Sequence, residues 1–218
     1  MDGHTLTKDK IAALLGPRRR ESNKGDSGHG LLLAGSGSMP GAACMAATAA
    51  LRAGIGTLKV LCPASAAAGL RALPEAMLAP LPGERWDACT EAFLRPYLDA
   101  ATCIAIGPGM GRAAETDGVL RLVLSAGKPV VVDADGLFAL ARNTEARAAL
   151  HGNVVLTPHF GEMARLLGIS IPEVRENQKA FALRSAAQWG CTVLLKGARS
   201  VVAAPDGRLA WNETGNPG

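Results

Sequence analysis

Glycine, hydroxyl, carboxylate and imidazole groups follow four short apolar segments of this sequence. The four groups are GSGS at residues 35–38, GPGMG at 107–111, DADG at 133–136 and TPHFGE at 157–162. Glycine-rich segments let backbone N–H groups approach an anion, because no side chain stands in the way. Carboxylates can hold a metal ion or a ribose hydroxyl, and an imidazole can donate to an amide or a phosphate. Together these residue types indicate a site for a phosphorylated ligand.

The apolar segments before these groups are typical of buried parallel strands. Residues 31–63 contain an apolar run, a glycine-rich turn, an alanine-rich helix and a second apolar run, and so predict one βαβ unit. Pro40 suits the first position of the helix, and Gly54 suits the position that ends it. Open α/β sheets bind ligands at the carboxyl ends of their strands, so all four loops are expected at one edge. For the first glycine loop, a tight turn without a ligand is an equal alternative.

The whole chain predicts parallel βα units followed by a late antiparallel pair, which is an α/β fold with a doubly wound, mainly parallel sheet and helices on both faces. Predicted strands cover residues 31–34, 58–61, 102–106, 129–132, 154–156, 192–195, 200–203 and 208–211. Predicted helices cover residues 5–15, 40–53, 64–72, 86–97, 115–126, 137–142, 163–167 and 174–189. Residues 74–82 are expected to be an irregular connection.

Four side chains at the predicted strand ends are candidates for direct chemistry. Asp133 and Asp135 divide two roles: one can hold a metal ion or a ribose hydroxyl, while the other caps the helix that begins near residue 137. Thr157 is expected to cap the next helix, which leaves His159 without a structural role and favours a substrate contact. Lys196 directly follows a buried strand, so its charge must meet an anion or the solvent at the strand end.

Composition and charge exclude several classes of function. The chain has 218 residues and a formal net charge of +4, with no patch that interleaves basic and aromatic residues, so nucleic acid binding is not expected. Its five cysteines show no metal-ligand spacing and are expected to be reduced, with Cys44, Cys62, Cys103 and Cys191 as small core residues. Without a signal peptide or an apolar run of ~20 residues, the protein is expected in the cytoplasm, away from membranes.

Six motifs occur in a fixed order between about residue 24 and the last residue: GSGSMPGAACMAATAALRAGIG, AIGPGMG, VVVDADGL, LTPHFGEMARLLG, LLKGARSVVAAPDG and NETGNPG. In these motifs and their order the sequence resembles the ADP-dependent NAD(P)H-hydrate dehydratases. The combination of TPHFGEMARLLG with the terminal TGNPG is highly specific. The resemblance implies a ribokinase-like domain over residues 25–218, preceded by a polar segment at residues 1–24.

The resemblance also implies an activity and a set of site residues. The family removes water from the hydrated ring of (S)-NADHX or NADPHX and uses ADP (ATP in some relatives) with Mg²⁺. Carried over by motif, the residues that contact the hydrated dinucleotide are Ala42 or Ala43, Gly109 and His159. The nucleotide-side loop is formed by Lys196, Gly197, Ala198, Arg199 and Ser200. Like the family, the protein is expected to be a homo-oligomer, with a tetramer favoured.

One family element is not found in the printed residues. In the family, TGNPG precedes a Gly-x-Gly-Asp segment whose aspartate activates the attacked hydroxyl, and this sequence reaches Gly218 before such a segment. We therefore expect the catalytic aspartate to lie beyond Gly218, the domain to be incomplete at its C-terminus, and residues 1–218 alone to be inactive. Neither Asp133 nor Asp135 replaces that aspartate by motif, and no metal ligand is predicted. A ribokinase-like small-molecule kinase and a truncated, non-catalytic nucleotide-binding protein are the alternatives.

Overall fold

A computed structural model of the protein describes residues 3–15, 17 and 20–214. The described strands are β1 (His4–Thr5), β2 (His29–Leu33), β3 (Thr57–Cys62), β4 (Ala76–Pro80), β5 (Cys103–Ile106), β6 (Val130–Val132), β7 (Val154–Leu156), β8 (Thr192–Leu195), β9 (Ser200–Ala203) and β10 (Leu209–Asn212). The described α-helices are α1 (Lys8–Leu15), α2 (Pro40–Ala53), α3 (Ala64–Leu70), α4 (Glu91–Ala100), α5 (Glu115–Ser125), α6 (Asp135–Arg142), α7 (Thr144–Ala148), α8 (Phe160–Leu167), α9 (Ile171–Glu176) and α10 (Gln178–Trp189).

The unit Ser22–Ala149 is built on five strands in the spatial order β6–β5–β2–β3–β4, and each neighbouring pair is parallel. Helices α2 and α3 pack on β2 and β3 through small side chains. Ala43 and Ala47 of α2 are fully buried in a cluster with Leu32 and Val60. Because alanine adds only a methyl group, the helix backbone can lie close to the strands, as the alanine-rich sequence of α2 predicts.

The second unit consists of residues 1–21 and 150–218. Within it the strand order is β1–β10–β9–β8–β7. Strand β7 pairs with β8 and β1 pairs with β10 in parallel, whereas β9 is antiparallel to both of its neighbours. Helices α8 and α10 cover these strands with a core that includes Met163, Phe181, Val193 and Val201. In β8 and β9 buried positions alternate with half-buried ones, because successive side chains of a strand point to opposite faces of the sheet.

The predicted α/β fold, with mainly parallel strands and a late antiparallel pair, is confirmed. Helix α2 begins at Pro40 and ends before Gly54, which has the left-handed conformation that closes the helix, as predicted (φ 100°). Helix α1 begins at Lys8 rather than at residue 5, because His4–Thr5 pairs with β10. The proposed boundary at residue 24 stays a prediction.

Three predicted segments are wrong. Residues 74–82 are not irregular, since Ala76–Pro80 forms β4, an edge strand that tolerates the terminal proline. Residues 86–97 are not one helix: Trp86–Ala88 is a 3₁₀ turn, and α4 starts after its own cap, Thr90. Residues 174–189 are two helices separated at Asn177, which ends α9 and precedes α10. The apolar periodicity continues through that junction, so the pattern alone does not reveal it.

The cysteines differ in exposure. Cys62, Cys89 and Cys191 are buried, whereas Cys44 and Cys103 are half-buried, and all five are free thiols. The prediction of a core position is thus confirmed for Cys62 and Cys191, and Cys89 joins them. Burial raises the pKa of Cys191 to about 12 and that of Cys89 to about 11.

These raised pKa values predict selective alkylation. At pH 8 only a fraction on the order of 10⁻⁴ of Cys191 would be thiolate, and thiolate is the nucleophile. We expect iodoacetamide to label Cys44 and Cys103 in the native protein well before Cys89 and Cys191, as measured by peptide mass spectrometry. Labelling of all five at similar rates in denaturant is the control. Equal rates in the native protein would contradict the buried positions.

Gly107, directly after β5, predicts a large effect of a single methyl group. Its φ is +123°, and a Cβ there would lie 1.9 Å from the carbonyl oxygen of Asp133. We expect Gly107→Ala to lower the free energy of unfolding by about 2–5 kcal/mol through strain and overpacking. Gly118→Ala is the matched control, because Gly118 lies inside α5 with open space around it. That change should raise stability by about 0.5–1 kcal/mol. Urea unfolding measures both, and similar midpoints for the two variants would refute the close approach.

Candidate functional site

Three of the four predicted loops meet at one edge of the Ser22–Ala149 unit. They follow β2, β5 and β6, which are parallel neighbours, so their carboxyl ends coincide. The N–H of Gly35 donates to the carbonyl oxygen of Pro108 at 2.8 Å, which ties the first glycine loop to the second. A Cβ on Gly109 would lie 2.7 Å from the Cβ of Ala42 and 2.9 Å from the carbonyl oxygen of Met39. Glycine is therefore required where these loops touch. His159 belongs to the other unit, where it follows β7.

The two alanines that the resemblance implies as substrate contacts differ in their exposure. Ala43 is completely buried beneath Gly35, so it presents no surface to a ligand. Ala42 is half-buried and lies beside Gly109. Gly109 itself is buried, and its neighbour Gly111 is half-buried. Of the two alanines, Ala42 is the one that this conformation allows to contact a ligand.

Neither aspartate after β6 is the N-cap residue of α6. Helix α6 begins at Asp135, and its N-cap residue is Ala134, which makes no side-chain cap. The prediction that one aspartate caps the helix is therefore wrong. The Asp135 carboxylate instead accepts hydrogen bonds from the N–H of Gly111 at 2.9 Å and from Nε of Arg112 at 3.3 Å. The backbone carbonyl oxygen of Asp133 lies against Gly107.

The imidazole of His159 has a structural role that the sequence interpretation denied it. His159 is the N-cap of α8, and its Nδ1 accepts hydrogen bonds from the N–H groups of Gly161 at 2.9 Å and Glu162 at 3.3 Å. Oε2 of Glu162 accepts from the N–H of His159 at 2.8 Å, which completes a capping box. The prediction that Thr157 caps this helix is wrong, because α8 begins at Phe160.

This cap determines which ring nitrogen of His159 can donate. Because Nδ1 accepts two N–H groups, the neutral ring assigned from this network carries its proton on Nε2. The side chain is 58% exposed, so Nε2–H is available to a ligand while Nδ1 holds the helix. The predicted ligand contact would therefore not compete with the structural role, since each would use a different nitrogen.

Lys196 and His159 come together within the second unit. The N–H of Lys196 donates to the carbonyl oxygen of Pro158 at 2.7 Å. His159 and Lys196 form a parallel bridge beyond β7 and β8. The Glu162 carboxylate, whose side chain is only 12% exposed, lies 3.5 Å from Nε2 of His159 and 4.0 Å from Nζ of Lys196. Sequence reasoning did not identify Glu162 as a link between these side chains, although a carboxylate in the first turn of α8 also complements the helix dipole. The His-x-x-Glu spacing of a capping box is the signal that reveals its second role.

The loop after Lys196 is held from three directions. Gly197 faces the ring of Phe160, since a Cβ would lie 2.8 Å from it, and its N–H donates to Oγ of Ser200 at 3.3 Å. Gln178 donates to the carbonyl oxygen of Arg199 at 2.9 Å. The Arg199 guanidinium stacks on Trp211 with 4.2 Å to the ring centroid and pairs with Glu213 at 2.6 Å. Ala198 is exposed. Sequence reasoning did not identify Gln178 or Trp211.

The described residues contain neither a cluster of metal ligands nor a membrane-spanning helix. Within residues 3–15, 17 and 20–214, no group of three or more His, Cys, Asp or Glu side chains could hold a metal ion. Over the same residues no helix has the length and apolar character that a bilayer span needs. Residues 215–218 of TGNPG lie outside the described residues, whereas Thr214 donates to Oδ1 of Asn212 at 2.7 Å.

Solved structures with the same fold define the class of this protein. The crystal structure of the ADP/ATP-dependent NAD(P)H-hydrate dehydratase from Bacillus subtilis, co-crystallised with ATP and Mg²⁺, matches with a TM-score of 0.82 and 33% identity. That match covers 99% of this chain and 74% of that chain. A ribokinase-like superfamily protein from Enterococcus faecalis matches with a TM-score of 0.81 and 26% identity, over 98% of this chain and 72% of that chain. The fold is therefore ribokinase-like.

The family follows from the sequence comparisons. The NAD(P)H-hydrate dehydratase family model matches residues 30–218, so the chain belongs to that family. The ADP-dependent (S)-NAD(P)H-hydrate dehydratase of B. subtilis is 37% identical over 96% of this chain and 72% of its own length. The bifunctional NAD(P)H-hydrate repair enzyme Nnr of Moorella thermoacetica is 43% identical over 93% of this chain. The chain spans about two fifths of such bifunctional relatives, 39% in Moorella and 40% in Thermofilum pendens.

The capping role of His159 predicts a loss of stability independent of any ligand. His159→Ala removes the acceptor for two N–H groups of α8 and should lower the free energy of unfolding by about 0.5–2 kcal/mol. Ser170→Ala is a matched comparison, because Ser170 caps α9 in the same unit by accepting from the N–H of Glu173. His159→Asn should lose much less, since asparagine is a good cap. If His159→Ala unfolds at the wild-type urea concentration, the cap assignment is wrong.

Proposed function

We propose that the protein dehydrates (S)-NADHX and NADPHX back to NADH and NADPH with ADP as phosphoryl donor. The observation that carries this proposal is the 37% identity to the B. subtilis dehydratase over 96% of this chain. The geometry supports it, because the two polar motifs that the resemblance assigns to substrate and nucleotide are adjacent at His159 and Lys196.

The proposed dehydration requires phosphoryl transfer followed by elimination. Water leaves the hydrated ring poorly, so the ring hydroxyl first attacks the β-phosphorus of ADP and releases AMP. The ring nitrogen then donates its electron pair, the C–O bond to phosphate breaks, and a proton leaves the adjacent carbon to restore the dihydropyridine. A protein promotes such a transfer by placing the reactants in line and by neutralising charge on the phosphates.

The family resemblance assigns substrate contacts to residues in each of the two units. His159 donates from Nε2 to the hydrated dinucleotide, which its exposed ring and occupied Nδ1 allow. Ala42 contacts the dinucleotide through its methyl group, and Gly109 acts by letting the second loop lie against Met39 and Ala42. Ala43 is left out of this proposal because it is completely buried.

The nucleotide side uses the loop Lys196, Gly197, Ala198, Arg199 and Ser200. The Lys196 ammonium is 40% exposed and can pair with a phosphate while Glu162 keeps it near His159. ADP or ATP would bring Mg²⁺ with its phosphates, since Mg²⁺ keeps several waters and needs few protein ligands. That arrangement suits a region in which the described residues form no acidic metal cluster.

Assembly and location are part of the proposal. From the family resemblance we expect a homotetramer in the cytoplasm. Light scattering of the purified protein tests the assembly, and a monomer would count against it. Cell fractionation tests the location, and recovery with membranes or in a secreted fraction would count against it.

The deciding experiment supplies enzymatically hydrated NADH to the complete gene product that contains this sequence. With Mg²⁺ and ADP, we expect the near-ultraviolet absorbance of NADH to return, with AMP and phosphate formed in equal amounts. Reactions without nucleotide, without protein, and with ATP in place of ADP are the controls. A stable phosphate ester without NADH would instead indicate a small-molecule kinase. Nucleotide binding without any product would indicate a non-catalytic binding protein.

One substitution at His159 and a control at Ser170 separate binding from stability. His159→Asn keeps a helix cap but loses Nε2–H, so it should raise KM for NADHX through a loss of about 1–3 kcal/mol. KM for ADP should change little. Ser170→Ala, which affects only a cap, should leave both constants unchanged. Wild-type kinetics in His159→Asn would remove His159 from the substrate site.

A further inference from the structure

We propose that Asp135 is a positioning residue that holds the GPGMG loop, residues 107–111, in the conformation that receives the hydrated dinucleotide. This inference rests on the proposed function, in which that loop forms part of the substrate site. Asp135 does not itself touch the ligand, because the residue is only 9% exposed. It acts through Gly111 and Arg112, the two partners of its carboxylate.

Inside the GPGMG loop the N–H of Met110 donates to the carbonyl oxygen of Gly107 at 3.2 Å, but three of the five residues are glycine. Gly107, Gly109 and Gly111 all have positive φ, at 123°, 66° and 87°. Glycine reaches these conformations freely and leaves them just as freely, so the loop needs bonds from outside to stay in one of them. Pro108 supplies one such bond by accepting from Gly35 at the start of the loop. At the end of the loop, the carboxylate of Asp135 accepts from the N–H of Gly111 at 2.9 Å.

The carboxylate is itself fixed by a network of cations and an aromatic ring. Arg112 approaches Asp135 with Nε at 3.3 Å and lies over the ring of Phe138, 4.9 Å from its centroid. Arg142 lies 5.1 Å from the same centroid and pairs with Asp117 through Nε and a terminal nitrogen. Arg142 also donates to the carbonyl oxygen of Arg112 at 2.8 Å. The residue after the loop is therefore held by both its side chain and its backbone.

The backbone next to Asp135 is strained in a way that serves this contact. Ala134 has φ 49°, and it is the only described residue other than glycine with a positive φ. Such a conformation is unfavourable for alanine and persists only where surrounding interactions determine it. Here it places Asp135 at the first position of α6, where the carboxylate reaches back to Gly111. A helix start serving stability alone would call for a capping side chain at position 134, which alanine lacks.

The test compares Asp135→Ala and Asp135→Asn with Glu145→Gln in the complete gene product. Glu145 is an exposed carboxylate in the same unit, 3.7 Å from Arg121 and remote from the loop by its contacts. Asp135→Ala should raise Kd for NADPH, measured by calorimetry, and KM for NADHX by roughly tenfold or more. The effect on kcat should be smaller. Asp135→Asn, which keeps the size and one acceptor, should raise both by about threefold to tenfold. Glu145→Gln should match the wild type.

Hydrogen exchange of the Gly109 and Gly111 amides gives a readout that needs no ligand. Both should exchange faster in the Asp135 variants, while amides in β2 and β5 keep wild-type protection. Should wild-type protein neither bind nor convert the dinucleotide, the proposed function fails, and exchange still decides whether Asp135 orders the loop. Should Asp135→Ala not fold, Asp135→Asn carries both measurements. Wild-type exchange at Gly111, or ligand constants in Asp135→Asn equal to those of Glu145→Gln, would overturn the inference.

Discussion

Backbone contact between loops is the constraint on which the candidate site depends. One loop touches the next at Gly35, Gly107 and Gly109, and all three residues have positive φ. At Gly107 and Gly109 the contact is so close that a Cβ would not fit unless neighbouring atoms moved. Glycine at these positions therefore satisfies packing before it satisfies any ligand. The same contacts leave N–H groups and small side chains such as Ala42 at the edge formed by β2 and β5. Backbone geometry at the ends of these parallel strands is therefore consistent with the predicted site for an anion.

In the second unit a side chain, that of His159, satisfies backbone N–H groups at the start of a helix. The first turn of α8 has N–H groups without helical partners, and His159 satisfies two of them through Nδ1. A serine or asparagine cap would accept the same N–H groups, but its own donor would lie on a short side chain, whereas imidazole carries Nε2–H on the opposite side of a rigid ring. Glu162, whose side chain is only 12% exposed, joins this cap to Lys196. In the proposed function, helix stability and ligand chemistry would share these residues.

How far the sequence predicts this molecule depends on burial. Parallel strands such as β2 appear as continuous apolar runs because both faces are covered, and their loops are predictable from glycine and proline. Strand β4 escapes the pattern because it is an edge strand with Met77 exposed and Pro80 at its end. The cap at His159 escapes because caps are expected from Ser, Thr, Asp or Asn, and a ring nitrogen is rarely considered. Periodicity reports burial and is silent on individual hydrogen bonds.

The DADG motif shows how one carboxylate can be misread from sequence. An aspartate before a helix suggests a cap, and that interpretation assumes that the side chain turns towards the N–H groups of its own helix. Because Ala134 turns the backbone into the left-handed region, Asp135 instead faces the neighbouring loop and its N–H at Gly111. A nearly buried carboxylate costs free energy unless charged or N–H partners compensate it, and Arg112 with Gly111 does so here. The conformation of the glycine-rich loop therefore depends on its hydrogen bond to Asp135.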